Sequence, residues 1–455
     1  MARLFGTDGV RGEANLVLTP ELAYRLGRAA TIYFGKECKD GAEAPVIIIG
    51  RDTRISGAMF ESALTAGICS AGGKAVVVGV IPTPAIAFLA KKHGAQAGIV
   101  ISASHNPFHD NGIKFFGGNG YKLPDAVEDE LEAIVHTVET DDTLYRASGA
   151  KMGTIEYRHD LVKEYIEFVK GTCKERFDGI KVVLDCSNGA AFEAMPAILR
   201  SLGAEVTVIN NKPDGININD KCGSTHLEML QQAVVDSKAD FGIAHDGDAD
   251  RCLCVDEKGN VIDGDHMLVI CGQEMMAQGT LKDNAIVTTV MANIGFHKAV
   301  KSFGGKAEIT KVGDRYVLEK MLANGDNLGG EQSGHIIFGD FCTTGDGPVT
   351  ALQTLSAIKR SGKKASELNE LMVSYPQLLV NVAVKTKEGW ETNAKIAEAI
   401  KTGEEELGSD GRILVRPSGT EPLIRVMAEG PDQAQLDKIC HAIADVVLQQ
   451  QGPKE

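Results

Sequence analysis

No run of about 18 apolar residues occurs in the 455-residue sequence, which argues against a chain built around membrane-spanning helices. No charged-plus-apolar leader opens it, so a soluble, cytoplasmic protein is expected. Positive charge is scarce: 47 Lys and Arg stand against 62 Asp and Glu, a formal charge of −15. That balance argues against a nucleic-acid surface or an anionic membrane as partner. If the ligand is anionic, the arginines that bind it must be gathered locally. The ten cysteines include no C-x-x-C pair, which favours reduced thiols in or near the core. Cys252 and Cys254 fall two apart in an apolar run and should share one face of a strand. Low-complexity sequence is absent apart from a polar 449–455 tail, expected to fray.

What is present points to a multi-domain α/β protein. The length implies about three or four domains, and 43% hydrophobic residues suffice for real cores. Fifty-one glycines suit tight strand-to-helix turns and close backbone approach to a ligand. A helix is predicted from Thr19 to about Phe34, with Thr19 as N-cap, Pro20 at the first position and Glu21 in the first turn. Val46–Ile49 reads as a strand ending in Gly50-Arg51-Asp52-Thr53-Arg54, Ser56 opens a helix to about Ala71, and 75–80 and 98–102 are further strands. Apolar run, small-residue turn and helix recur at 181–190 and 285–295, as if one α/β unit were used three times. Breaks are expected near 150–158 and 256–260. The tail differs: an alternating strand at 378–386, a helix around 391–402, strands at 412–415 and 423–428, and a last helix from about Pro431 form an α+β layer.

Four segments carry candidate chemistry. The first is Ile101-Ser102-Ala103-Ser104-His105-Asn106-Pro107, where an apolar run stops in small and polar residues. Such a strand-to-loop corner can present a hydroxyl at the rim of a sheet, and Ser104 is the candidate nucleophile, although most Ser-rich corners are only turns. The second is His245-Asp246-Gly247-Asp248-Ala249-Asp250-Arg251 after the strand-like run 241–244. Asp246, Asp248 and Asp250 can converge on one hard cation, whose charge removes their mutual repulsion. A solvated acidic turn is the plainer alternative; an EF-hand fails because Glu257, at loop position 12, follows an apolar strand rather than opening a helix.

The third is Arg416-Pro417-Ser418-Gly419-Thr420-Glu421-Pro422 with Arg425. Two guanidiniums, two hydroxyls and the N–H groups of Ser418, Gly419 and Thr420 could cradle a phosphate dianion, unless the segment is a plain hairpin. The fourth is Gly329-Gly330-Glu331-Gln332-Ser333-Gly334-His335, whose side chains suit sugar hydroxyl or amino groups.

In this order the segments resemble the α-D-phosphohexomutase family, over essentially the whole chain from Phe5 to Arg425. The opening Phe5-Gly6-Thr7-Asp8-Gly9-Val10-Arg11-Gly12, the Ser104 segment, Asp110-Asn111-Gly112-Ile113-Lys114-Phe115-Phe116 and Val312-Gly313-Asp314-Arg315-Tyr316 resemble its amino-sugar branch. Two departures are Ala249, where the family's metal loop usually has glycine, and His245 before that loop.

The resemblance implies four domains around a central cleft: three similar mixed α/β domains, at 1–155, 156–256 and 257–370, and a smaller C-terminal α+β domain at 371–455. It implies that Ser104 is a phosphoserine, that Asp246, Asp248 and Asp250 hold Mg²⁺ with the Ser104 phosphate, and that Arg251 flanks that phosphate. Lys114 matches the family's proton-transfer lysine, and Arg11 and His105 match residues around the transferring phosphate. Glu331 and Ser333 match the sugar-binding loop; Arg416, Ser418, Gly419, Thr420 and Arg425 match the phosphate-binding loop.

The activity so implied interconverts glucosamine 6-phosphate and glucosamine 1-phosphate through a bound glucosamine 1,6-bisphosphate, which also serves as activator. It would supply UDP-N-acetylglucosamine for cell-wall synthesis. The expected partner is a small phosphosugar, with a homodimer left open. A metal-dependent phosphatase is the first rival, and a second phosphate site argues against it. A non-enzymatic phosphosugar-binding protein would not need Ser104, Lys114 and three aspartates together. Within the family, a phosphomannomutase/phosphoglucomutase is the alternative.

Overall fold

Each predicted alternation of strand and helix becomes one layer of sheet in the computed structural model, which describes residues 3–6, 8–36, 38, 44–418 and 421–453. The first sheet holds β1 (Val10–Glu13), β2 (Val46–Arg51), β3 (Lys74–Val80), β4 (Ala97–Ile101), β5 (Asp110–Gly117) and β6 (Ile155–Tyr157), in the order β1-β5-β4-β2-β3-β6. The second holds β7 (Lys181–Asp185), β8 (Glu205–Ile209), β9 (Phe241–His245), β10 (Cys252–Asp256) and β11 (Val261–Ile262), ordered β11-β10-β9-β7-β8. In the third, β12 (Ala285–Thr289), β13 (Lys306–Thr310), β14 (Leu328–Gly330) and β15 (Ile336–Phe338) run β13-β12-β14-β15. The fourth is antiparallel, with β16 (Gln377–Ala383), β17 (Arg412–Pro417) and β18 (Leu423–Glu429) in the order β16-β18-β17.

One position recurs in the first three sheets. β4 lies between parallel β2 and antiparallel β5. β9 lies between parallel β7 and antiparallel β10, and β14 between parallel β12 and antiparallel β15. Change of strand sense makes this the switch point of an α/β sheet, where loops at the carboxyl ends form a site. The Ser104 corner follows β4, the aspartate loop follows β9 and the Glu331 loop follows β14. The repeat predicted at 181–190 and 285–295 is thus real: β7 and β12 correspond to β2, and the counterparts of the Ser104 strand are β9 and β14.

The helices follow their local signals. Thr19 caps helix Pro20–Gly35, its hydroxyl accepting from the Leu22 N–H at 3.2 Å. That helix packs on helix Gly57–Ser70 through glycine: a Cβ on Gly27 would stand 2.4 Å from the Leu64 carbonyl oxygen, and one on Gly67 2.1 Å from that of Tyr24. Either substitution would force the helices apart. Cys252 and Cys254 are both buried with sulfurs 3.7 Å apart, reduced core thiols as expected. Among the described residues no helix is long and apolar enough to cross a membrane.

The chain divides into two compact units, one of residues 1–291 and 304–371, the other of 292–303 and 372–455. In the second, the helix predicted at 391–402 spans Ala394–Leu407, because Asn393 caps it by accepting from the N–H groups of Lys395 and Ile396. Asp432 likewise starts the last helix at Gln433. That helix continues to Gln451, and the Lys385 N–H donates to the Gly452 carbonyl at 3.0 Å, so the tail to Pro453 is pinned rather than frayed.

Candidate functional site

The corner after β4 is held from beneath. All five residues of β4 are buried, so the chain leaves the sheet with no freedom until Ile101. The Ser102 hydroxyl donates to Asp52 at 2.5 Å and accepts from the Ser104 N–H at 2.9 Å. Ser104 adopts φ +53, a left-handed conformation unusual for a residue other than glycine and one that surrounding contacts must hold.

Those contacts come largely from Arg54, fully buried at the end of the turn after β2. Its guanidinium pairs with Asp52 at 2.9 Å and donates to the carbonyls of Ser104 (2.9 Å), Asn106 (2.8 Å), Asp110 (3.1 Å) and Pro107. Asn219, from the second sheet's loops, donates to the same Ser104 and Asn106 carbonyls at 2.9 and 3.1 Å. A rigid fork of five donors can satisfy this set of carbonyls; an ammonium cannot. Arg54→Met should therefore destabilise the protein by about 3–5 kcal/mol, by leaving Asp52 buried and unpaired. Arg54→Lys should keep the fold yet lose about 100-fold in turnover through a loosened corner. Thermal unfolding beside kcat measures both, and a fully active Arg54→Lys enzyme would contradict the assignment.

The aspartate loop meets this corner. The Ser104 hydroxyl donates to Asp246 at 2.5 Å and stands 3.3 Å from His105 Nδ1. Gly247 makes the approach feasible, since a Cβ there would sit 2.5 Å from the Ser104 carbonyl oxygen. Asp246, Asp248 and Asp250 are buried, each offering an oxygen within 4.8 Å of the others. One oxygen each of Asp248 and Asp250 is buried without a hydrogen-bond partner. Burial, then Asp250 and Asp248, pushes the Asp246 carboxyl well above the usual range. Three hard-oxygen donors, two of them with an unpartnered oxygen, fit Mg²⁺, whose charge would reverse that shift. Ala249 takes φ +57, a left-handed conformation in which a glycine would be unstrained.

His245 has a structural role: its Nδ1–H donates to the Arg251 carbonyl at 3.0 Å, closing the loop end to end. Its full burial lowers its pKa to about 4, so it stays neutral.

Lys114 comes from β5, opposite Val100 of β4. Its ammonium is buried 2.8 Å from Asp248, 2.9 Å from Asp8 and 3.7 Å from Asp250. Burial would lower its pKa, but Asp248, Asp8 and Asp250 outweigh that and hold it above the usual range. Thr83 donates to the same Asp248 oxygen at 2.6 Å. Arg11 pairs with Asp8 at the side of this cluster. Burial, then Arg251 and Arg11, lowers His105 to about 4. Arg251 leaves its Nε buried and unpartnered, while its N–H donates to Asp246 at 3.2 Å.

The glycine-rich segment splits: Gly329 and Gly330 finish β14, and Glu331–His335 form the loop. Glu331 accepts from the Gly313 N–H at 3.1 Å, and the Ser333 hydroxyl is buried without a partner. Gly334, at φ +87, lies so close to β10 that a Cβ would be 2.1 Å from the Cys252 carbonyl oxygen. That contact joins the Glu331 loop to the end of the aspartate loop.

In the second unit, Arg416 and Arg425 are direct partners across β17 and β18. Two like charges opposite each other are unfavourable without an anion between them. Burial, then Arg425, lowers Arg416 from its ordinary value, and Arg425 keeps its Nε buried and unpartnered. Ser418 is 3% exposed; its hydroxyl accepts from the Glu421 N–H at 3.3 Å, and its carbonyl accepts from Lys387. Gly419 and Thr420 lie outside the described residues.

The structure brings Ser104, the three aspartates and Lys114, the last expected from the family resemblance alone, into one cluster; sequence reasoning passed over Asp8, Asp52, Arg54, Thr83 and Asn219 beside them. The one signal available was Arg51-Asp52-Thr53-Arg54 at the end of a buried strand, the kind of position that also marks Ser104.

Four family profiles match in chain order: phosphoglucomutase/phosphomannomutase α/β/α domain I at 2–142, domain II at 163–259, domain III at 263–375 and the C-terminal domain at 379–446. The chain belongs to the phosphoglucomutase/phosphomannomutase family. A phosphoglucosamine mutase of Brevibacillus brevis is 53% identical over 450 residues, 99% of this chain and 100% of the relative. Among solved structures, a phosphoglucomutase/phosphomannomutase family protein of Burkholderia thailandensis shares the fold at TM-score 0.81 and 24% identity, over 99% of this chain and 98% of that one. So does an Aspergillus fumigatus N-acetylphosphoglucosamine mutase in complex with GlcNAc-6P and magnesium, at TM-score 0.69 and 17% identity, over 99% and 96%. This member of the phosphoglucomutase/phosphomannomutase family therefore carries three α/β/α domains and a distinct C-terminal domain, the fold class expected.

Proposed function

We propose that the chain is a phosphoglucosamine mutase, exchanging phosphate between C6 and C1 of glucosamine through a phosphoserine at Ser104 and a bound glucosamine 1,6-bisphosphate. Its product would feed UDP-N-acetylglucosamine and cell-wall synthesis. The observation that carries the reading is the single buried cluster in which Ser104 Oγ lies 2.5 Å from Asp246, with Asp248, Asp250 and Lys114 in the same network.

A phosphoserine brings about −1.5 to −2 charge at pH 7 into that cluster. Asp246, Asp248 and Asp250 would hold Mg²⁺, which when bound offsets the charge of the phosphate and of the three carboxylates. Arg251, with its unpartnered Nε, and Arg11 supply fixed cations beside it. A sugar hydroxyl oxygen forms the new bond to phosphorus as the Ser104 Oγ–P bond breaks. The hydroxyl proton is balanced at Ser104 Oγ: Lys114 Nζ, held as an ammonium, is assigned to give a proton to the departing Oγ and to take the sugar hydroxyl's proton in its place. His105, neutral at pH 7, orients the corner without adding charge. Rate acceleration in each transfer to or from Ser104 rests on positioning and charge stabilisation around the phosphoryl group.

Glu331 and Ser333 are assigned to the sugar, and Arg416, Ser418, Gly419, Thr420 and Arg425 to the phosphate that is not reacting. Charged hydrogen bonds of about 1.5–3 kcal/mol each make Arg425→Ala about 10- to 100-fold weaker in phosphosugar binding. Ser104 in that variant should still accept phosphate from concentrated sugar bisphosphate, since its own cluster is intact. Intact mass beside steady-state kinetics checks both halves. Loss of Ser104 phosphorylation at every donor concentration would place Arg425 in the transfer site instead.

The experiment for the whole reading is mutase assay on glucosamine, glucose and mannose 6-phosphates side by side. Glucosamine 6-phosphate should lead in kcat/KM. A lead for mannose or glucose phosphate would move the chain to the phosphomannomutase/phosphoglucomutase alternative.

A further inference from the structure

Lys122 stands just beyond β5, where the chain turns back and Lys122 bridges to Phe116. Its ammonium lies 2.6 Å from Asp8 Oδ1 and also contacts the carboxylate of Asp314. The other Asp8 oxygen meets Lys114 at 2.9 Å and the Arg11 guanidinium. Asp8 therefore divides its oxygens, one toward Lys122 and one toward the two cations of the transfer cluster. A carboxylate held at one oxygen by a fixed cation cannot turn the other away.

Asp314 opens helix Asp314–Asn324, and the residue before it, Gly313, donates to Glu331. His335 Nε2 lies 3.5 Å from Asp314. A line of contacts thus runs from the Glu331 loop through Asp314, Lys122 and Asp8 to Lys114 and Arg11.

Lys122 is set behind the cluster, not within it. It borders a cavity of about 880 Å³ whose lining includes Asp314, Arg315 and His335 but not Ser104, Lys114, the three aspartates or Glu331. Burial is outweighed at Lys122 by Asp314 and Asp8, so it stays charged.

We infer that Lys122 is a positioning residue: it fixes Asp8 so that Lys114 and Arg11 face the reacting phosphate, and it ties that geometry to the Asp314 end of the sugar-binding module. The inference rests on the mutase reading for its kinetic consequences, though not for the strap itself. Other contacts at the same junction, Arg315 with Asp125 and Thr343 with the Gly120 carbonyl at 2.5 Å, would keep the fold when Lys122 is changed.

The test compares Lys122→Met, Lys122→Arg, Asp314→Asn and the Lys122→Met/Asp314→Asn double variant in the full-length enzyme. Lys122→Met should lower kcat about 10- to 100-fold, the scale of a misplaced catalytic group, with little change in KM. Lys122→Arg should recover most of that loss, because it restores a cation to both carboxylates. The double variant should be no worse than Lys122→Met alone, since both remove one strap. Amide exchange in the segment Asp8–Arg11 should rise in Lys122→Met, a readout that needs no activity. If the parent proves inactive on phosphosugars, the mutase reading fails while exchange still decides the strap. Parental kcat in Lys122→Met, no recovery with arginine, fully additive losses, or unchanged exchange would each overturn the inference. Should Lys122→Met fail to fold, Asp314→Asn under the same readouts decides it.

Discussion

Ser104→Ala is expected to lose turnover by about 10⁴-fold or more, the scale seen when a nucleophile is removed from a preorganised site. The hydroxyl is the acceptor of the phosphoryl group in the proposed cycle, and no neighbouring side chain offers a substitute in its place: His105 is 3.3 Å away and Asp246 is committed to the carboxylate triad. The fold should survive. Loss of the hydroxyl leaves Asp246 short of one donor at a cost of about 1–3 kcal/mol, while Arg54 and Asn219 grip the backbone of the corner rather than the side chain. Ser104→Gly should behave alike, because glycine accepts φ +53 without strain. Steady-state assay with a circular-dichroism melt measures both effects. Near-parental activity in either variant would end the phosphoserine mechanism.

Removal of divalent cations is expected to have the second largest effect, taking activity to background with restoration by Mg²⁺. Asp246, Asp248 and Asp250 share one buried site, and Lys114 alone is a poor counterweight because it must also face Asp8. A saturating cation should also raise the melting temperature, by linkage worth about 2.7 kcal/mol at a hundred times Kd. Mg²⁺ should support more activity than Ca²⁺, since the oxygens number few and the larger ion demands more of them. Dialysed enzyme that retains full activity in excess chelator would contradict the assignment of the triad.

The sequence made the strand ends readable because each is abrupt. At β4 and β9 a fully buried apolar run gives way within two residues to Ser or Asp, so the boundary itself is visible in residue identity. Arg54 was opaque for the opposite reason. Its partners are backbone carbonyls 50–56 positions away, and carbonyls leave no trace in residue identity. Lys122 was opaque because its two carboxylates lie 114 positions before it and 192 after it, in segments legible separately but not as neighbours. The strand–turn–helix repeat was legible, but not which strand of the second and third sheets answers to the Ser104 strand. Strand sense, not composition, fixes the correspondence. His245 needed the loop closed before its hydrogen bond to Arg251 existed at all. At the tail, a polar composition suggested fraying, whereas a backbone hydrogen bond from Lys385 to Gly452 holds it as far as Pro453.

The most direct measurement of the central claim is intact and peptide mass of the enzyme incubated with glucosamine 1,6-bisphosphate and Mg²⁺, followed by addition of excess glucosamine 6-phosphate. One phosphoryl group should appear on the Ser104 peptide, and label introduced there should leave with the sugar bisphosphate on the time scale of turnover. Phosphate found on another residue, or a Ser104 phosphate that does not exchange with sugar during turnover, would contradict it.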